Sequence, residues 1–209
     1  MYDKNYAQSW IKAYESKKDW YRTDYLEPYL EDFVNKLPSK CNILDVGCGW
    51  GALVKFLKKD QKYTGVDPVG EFFPYIRENS TNRNINLVED GLPKLSKIKG
   101  KYDCIICSMT LHTVEDLEKS MKSLNSLLSD NGTILIVDFN DASEKLLRSS
   151  LKEVFISKKN HIRGMVEIAS GDIVETDVYF HKEKEIEKLL IRDFKKNYLG
   201  KIFVVYRNR

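Results

Sequence analysis

No apolar run in this sequence approaches the ~20 residues that span a bilayer, so no membrane-crossing helix is expected. Met1 is followed by Tyr, Asp and Lys, and no secretory apolar segment is expected there either. Charge of one sign is also lacking, since the net charge is +3 over 209 residues. That balance demands no polyelectrolyte partner. From Lys145 onward, 15 Lys and Arg stand against 9 Asp and Glu, a mild basic bias that a solvated surface explains. Cysteine is scarce, and its spacing does not form a disulfide set. Cys41 and Cys48 flank one predicted strand, and Cys104 and Cys107 lie inside another. Residues three apart on a strand face opposite sides. The Cys104/Cys107 pair is therefore read as buried structure, not as a redox or metal motif, and a reducing, cytoplasmic setting is expected.

The strongest local signal lies at residues 43 to 51, Ile-Leu-Asp-Val-Gly-Cys-Gly-Trp-Gly. A short apolar run gives way to Gly47, Gly49 and Gly51 on alternate positions. Leu53, Val54 and Leu57 then fall on one helical face. The pattern predicts a buried strand, a tight turn and a helix. Glycines there allow positive φ and close approach of a ligand. A dinucleotide fingerprint needs glycine at position 52, where this chain has Ala52, so a nicotinamide enzyme is disfavoured. Asp45, two residues before the first glycine, suits a ligand carrying an ammonium group and hydroxyls.

The stretch from Asp45 to Gly51, D-x-G-x-G-x-G, resembles motif I of the class I S-adenosylmethionine-dependent methyltransferases. A second match supports it. Asp67 lies 20 residues after Gly47, at the tip of the second predicted strand, where an acid can accept from both ribose hydroxyls. The resemblance implies a three-layer α/β/α sandwich. Its sheet would have seven mostly parallel strands in order 3-2-1-4-5-7-6, with an antiparallel last strand. It also implies that S-adenosyl-L-methionine and its product S-adenosyl-L-homocysteine bind at Asp45, Gly47, Cys48, Gly49, Asp67, Pro68, Asp90, Gly91, Leu92 and Ser108. Asp90 would accept from the adenine amino group, and Leu92 would pack on the ring.

The remaining pattern predicts one domain over residues 1 to 209. An aromatic helical segment, 1 to 37, comes first. Tyr6, Trp10 and Tyr14 form one stripe, and Tyr21, Tyr25, Tyr29 and Phe33 another, with Asp24 as a cap. Strand four, Tyr102 to Cys107, is a continuous apolar run. A helix capped by Thr113 follows, and strand five covers Thr133 to Val137. Residues 139 to 181 read as an insertion, a helix from about Ala142 to Phe155 and then a β-hairpin. Ile186, Leu189, Leu190 and Phe194 suggest a last helix, and Ile202 to Tyr206 a last strand.

His112, just after strand four, is the candidate general base, since histidine suits proton transfer near neutral pH. A structural role in the turn is the competing reading. His161 and His181 rank lower. Ser108 stands where metal-dependent catechol-type methyltransferases carry an acid, so no metal is expected, although Asp138, Asn140 and Asp141 could fill a second ligand place. No Asn/Asp-Pro-Pro-aromatic run follows strand four, which argues against nucleobase amine methylation. A small-molecule acceptor is expected under a cover made by the insertion and the N-terminal segment. An RNA or protein acceptor, and a non-catalytic cofactor binder, are the alternatives.

Overall fold

The computed structural model describes residues 4–82, 84–191 and 193–208. Its centre is a seven-stranded sheet. The strands are β1 (Asn42–Val46), β2 (Lys62–Asp67), β3 (Ile85–Glu89), β4 (Tyr102–Ser108) and β5 (Leu128–Phe139), then β9 (Phe194–Leu199) and β10 (Phe203–Asn208). Between β5 and β9 lie three strands of a second sheet, β6 (Leu151–Lys158), β7 (His161–Glu167) and β8 (Ile173–Tyr179). The main order is β3-β2-β1-β4-β5-β10-β9. Numbered within that sheet, it is the expected 3-2-1-4-5-7-6. Strands β1 to β5 are parallel, and β10 runs antiparallel to both its neighbours.

Alternation along the strands divides the core. Ile43, Cys104, Ile106, Leu135, Val137 and Val205 face one layer. Leu44, Val46, Ile105, Cys107, Ile136 and Val204 face the other. Cys104 and Cys107 thus point to opposite faces. The first layer holds α1 (Lys4–Ser16), α2 (Glu27–Lys36) and α3 (Phe73–Asn79), and the second holds α4 (Leu117–Leu127) and α6 (Glu183–Leu189). Both faces are covered, which is why the central strands read as unbroken apolar runs.

Several expected boundaries move. The segment after β1 is not a helix but a single 3-10 turn, Val54–Phe56. Gln61 and Asn82 fix its exit, through Gln61 Oε1 on the Lys58 N–H and Asn82 Nδ2 on the Lys58 carbonyl. Asp116, not Thr113, caps α4 by accepting from the Lys119 N–H at 2.9 Å. Asp19, not Asp24, accepts from Arg22 N–H where the second helical segment begins. Arg22–Leu26 there form a wider π turn just before Pro28, which has no N–H to continue the ladder. Strand β5 begins at Leu128, directly at the end of α4.

The insertion also differs. Its helix, α5 (Glu144–Ser150), stops earlier, and residues to Lys158 form β6, so the expected hairpin is a three-stranded sheet. Phe194 belongs to β9, not to the last helix. Both missed strands are edges of their sheets, with mostly exposed, lysine-bearing residues.

Candidate active site

The tips of β1, β2 and β4 meet at the glycine turn. Gly47 and Cys48 both donate to the Val66 carbonyl, at 2.8 and 3.0 Å, so the turn folds back on β2. Gly47 has φ +74°, and a Cβ there would fall 2.1 Å from Thr110 Oγ1. Thr110 Oγ1 in turn donates to the Val46 and Ser108 carbonyls. The loop after β4 therefore packs directly on the turn, and only glycine fits. Gly49 has φ +48°, and a Cβ there meets nothing within 4 Å, which leaves open space over its backbone.

Asp67 closes the turn from the other side. Its Oδ2 accepts from Gly49 N–H and its Oδ1 from Val69 N–H, each at 2.8 Å. Burial pushes its carboxyl up to about 6, against the opposing pull of those two N–H groups. Asp45 lies deeper. Its carboxylate accepts from the Tyr63 hydroxyl at 2.6 Å, and burial lifts it to about 7, with Asp67 adding repulsion. Cys48 likewise turns its thiol inward, close to Gly65. The side chains of Asp45 and Cys48 thus support the turn from beneath.

The third tip is looser. Asp90 Oδ1 accepts from Gly91 N–H and Oδ2 from Lys97 N–H, which shapes its own loop. The Asp90 N–H donates to the Asp67 carbonyl, tying the two acids together. Pro68 lies opposite Gly91, whose Cβ would sit 3.5 Å from the proline ring. Leu92 packs partly on the second core layer, and Ser108 is half-buried at the end of β4.

His112 sits in the turn Leu111–Thr113. Its Nδ1 is 2.7 Å from Asp138 Oδ1, and its N–H donates to Asp138 Oδ2 at 3.1 Å. The ring lies 4.8 Å from that of Phe139. Burial pushes the Asp138 carboxyl up, but the His112 charge, its ring hydrogen bond and two backbone N–H groups outweigh that and leave it below the ordinary value. An ionised carboxylate only accepts, so Nδ1 carries a proton, and in the neutral ring the lone pair is on Nε2. His112 and Asp138 line a narrow, solvent-open cleft together with Phe139, Tyr179, Phe180 and Lys182.

In the sequence reading Asp138 is only one of three residues that could fill a second metal-ligand place, and it is not paired with His112. Its place at the tip of β5 was the available signal. Tyr21, one of the aromatic residues of the N-terminal segment expected near the ligands together with Trp20 and Tyr25, has its ring 6.4 Å from Phe203, which stacks on Phe139 at 6.0 Å. His161 pairs with Asp177 inside the insertion sheet, whereas His181 lines the same cleft as His112, with its Nε2 2.7 Å from the Val114 carbonyl. No cluster of potential metal ligands occurs among the described residues.

A glycine turn under open space, an acid at the second tip and a covered parallel sheet define a nucleoside-binding α/β domain. A family model described as "Methyltransferase domain" matches residues 19–190. The chain belongs to that methyltransferase-domain family, and it shares its fold with solved structures that include an S-adenosylmethionine-dependent methyltransferase of Clostridium acetobutylicum. The structure titled "DhpI-SAM-HEP complex" is similar over 99% of this chain and 96% of its own, at TM-score 0.69 and 16% identity. A polyketide synthase-nonribosomal peptide synthetase of Aspergillus flavipes is 25% identical over 58% of this chain. The match covers only 3% of that much longer protein. The malonyl-[acyl-carrier protein] O-methyltransferase of Acetivibrio thermocellus is 28% identical over 48% of this chain and 36% of its own length.

Proposed function

We propose that the chain methylates a small acceptor that must lose a proton, such as a hydroxyl, without a metal ion, and that His112 takes the proton. The His112–Asp138 pair at the tips of β4 and β5 carries this reading. When bound, the cofactor supplies a sulfonium methyl group that needs no further activation. The chain then has to align, exclude water and remove a proton. Alignment of this kind contributes up to ~7–11 kcal/mol, and base catalysis typically 10²–10⁴-fold, by general estimates.

Gly47, Gly49 and Asp67 hold the cofactor in this reading. Each Asp67 oxygen keeps a second lone pair for a ribose hydroxyl. Asp90 accepts from the adenine amino group, with Pro68, Gly91 and Leu92 around the ring. Asp45 and Cys48 support the turn, and Ser108 borders the reacting side. Asp138 is a positioning residue. It fixes the Nδ1–H tautomer and stabilises the imidazolium that forms when Nε2 takes the proton.

Metal independence is supported by Ser108 at the first acid position and by Asp138, whose oxygens are already held by His112 and Phe139. A small acceptor is supported by the cover. Lys12 on α1 pairs with Asp172, and Ser170 donates to the Ser9 carbonyl, so the N-terminal helix and the β7–β8 turn touch. An acceptor presented on a carrier protein is the second reading, favoured by the name of the acyl-carrier relative. An RNA or protein acceptor ranks third. No helix among the described residues is long and apolar enough to cross a membrane, and four buried, unpaired cysteines support a cytoplasmic location.

Turnover by His112→Ala tests the assignment. It should fall 10²–10⁴-fold, with S-adenosylhomocysteine affinity within twofold of wild type. Asp138→Asn should lower turnover and move the pH–rate profile. A His112→Ala enzyme with wild-type turnover would leave His112 a structural residue.

A further inference from the structure

Two buried donors lack acceptors beside the glycine turn. The indole N–H groups of Trp10 and Trp50 are buried, and neither has a hydrogen-bond partner among the described residues. Trp50 directly follows Gly49. Its ring stacks on Trp10 with centroids 5.9 Å apart and planes 17° from parallel. It also lies 5.5 Å from Tyr14 and meets Phe72 edge-on at 6.4 Å. Phe72 ends the turn Gly70–Phe72, which follows Asp67 by a few residues. The two indoles are therefore enclosed by α1, the glycine turn and the segment just after Asp67.

A buried donor without an acceptor is costly, and two in one stack are rarely retained without cause. Nearby cations are committed elsewhere. Arg22 and Lys55 both lie over the Tyr14 ring, and both pair with Glu27. An anion entering here would meet neutral indole donors, with the adjacent cations already neutralised.

We propose that Trp10 and Trp50 bind the carboxylate at the amino-acid end of the cofactor through their indole N–H groups, which makes α1 part of the cofactor site. This rests on the cofactor placement proposed above, with the ribose on Asp67. From Asp67 the amino-acid end extends over the glycine turn, where the space above Gly49 is open. A carboxylate is an acceptor with two oxygens, and two donors match it. The indoles also cover the charged end with apolar surface, which strengthens each bond.

Calorimetric titration of the full chain with two ligands tests this. One is S-adenosylhomocysteine and the other is 5′-methylthioadenosine, which lacks the amino-acid end. Phenylalanine keeps the stacked ring and removes only the donor. Trp10→Phe and Trp50→Phe should each weaken S-adenosylhomocysteine about tenfold, the loss of a bond to a charged group. Both should leave 5′-methylthioadenosine within twofold. Unchanged S-adenosylhomocysteine affinity, or an equal loss for both ligands, overturns the assignment. Asp67→Ala should weaken both ligands; if it weakens neither, the placement itself is wrong. Should a variant fold poorly, wild type answers alone. Decarboxylated S-adenosylhomocysteine should bind at least tenfold more weakly than its parent, and equal binding overturns the proposal.

Discussion

The tips of β1 and β2 and the tips of β4 and β5 hold the same residue type in opposite conditions. Asp67 and Asp45 are buried beside each other with only N–H and O–H donors, and burial holds both well above the ordinary carboxylate range. Asp138 is as deeply buried, yet it lies below its ordinary value because His112 sits against it. Asp45 is held by Tyr63, and Asp67, in the reading proposed above, takes hydroxyl donors from a ligand. Asp138 has its partner built in. In that reading, one side of the sheet binds and the other moves a proton. Burial alone does not distinguish them; the neighbouring residue does.

The sharpest break of that comparison is to remove what covers only one side. Replacing residues 151–179 with a short Gly-Ser linker deletes the β6–β8 sheet and leaves the contact of His181 with Val114. Methyl transfer should be abolished, while S-adenosylhomocysteine affinity stays within a few-fold. A trimmed protein that folds and keeps turnover means the sheet is not the acceptor cover.

Asp67→Ala comes next, because it breaks the binding side alone. Two hydroxyl bonds to a charged acceptor, each worth ~1.5–3 kcal/mol, are lost. Affinity for S-adenosylhomocysteine should fall at least tenfold by calorimetry, with Asp138 and His112 untouched. Equal affinity in the mutant refutes the ribose assignment.

The two halves were not equally legible in the sequence. Asp45, Gly47, Gly49 and Asp67 sit at spacings imposed by one turn and one strand, so local pattern located them. What pattern could not give is orientation. Asp45 and Cys48 occupy motif positions, yet their side chains face Tyr63 and the core. The pairing of His112 with Asp138 crosses 26 residues and depends on the parallel register of β4 and β5, in which Ser108 lies opposite Val137. No local periodicity carries that. Strands β6 and β9 escaped because edge strands need only one bonded neighbour and tolerate lysine, which blurs the period-two signal. The helix expected after Gly51 escaped for the opposite reason. Its apolar spacing was real, but Leu53 and Val54 are buried from a 3-10 turn just as well.

A milder probe is pH. Asp67 holds its proton in the folded chain up to about 6, whereas an unfolded aspartate releases it near 3.8. Between those values the folded state binds more protons, so stability without ligand falls as pH rises through that window. Asp45 extends the same trend to about 7. Asp138 has the reverse shift, and its contribution is lost only as pH drops through its lowered folded value. Ribose hydroxyls donate to the ionised form of Asp67, so binding gains where stability loses. S-adenosylhomocysteine should bind about tenfold more weakly at pH 5 than at pH 7, as expected for one required ionisation near 6. Asp67→Asn should flatten that dependence. An affinity independent of pH in wild type contradicts the linkage.

The smallest expected effect is that of chelation. Metal-dependent methyl transfer to catechol-type acceptors needs a cation held by hard oxygen ligands on the β4 and β5 tips. On β4 the residue is Ser108, which carries no charge. On β5, Asp138 Oδ1 is shared by His112 Nδ1 and Phe139 N–H, and Oδ2 accepts the His112 N–H. A divalent ion binding there would have to displace the imidazole from Asp138. Asn140 is no substitute, since its Oδ1 accepts from Ser143 and its Nδ2 donates to the Lys201 carbonyl. Asp141 is engaged too, with Oδ1 accepting from Glu183 N–H. Turnover should therefore be unchanged, within error, after dialysis against EDTA, and added Mg²⁺ should not raise it. Loss of turnover on chelation, restored by Mg²⁺, would mean that Asp138 serves a metal and that the proton leaves by another route.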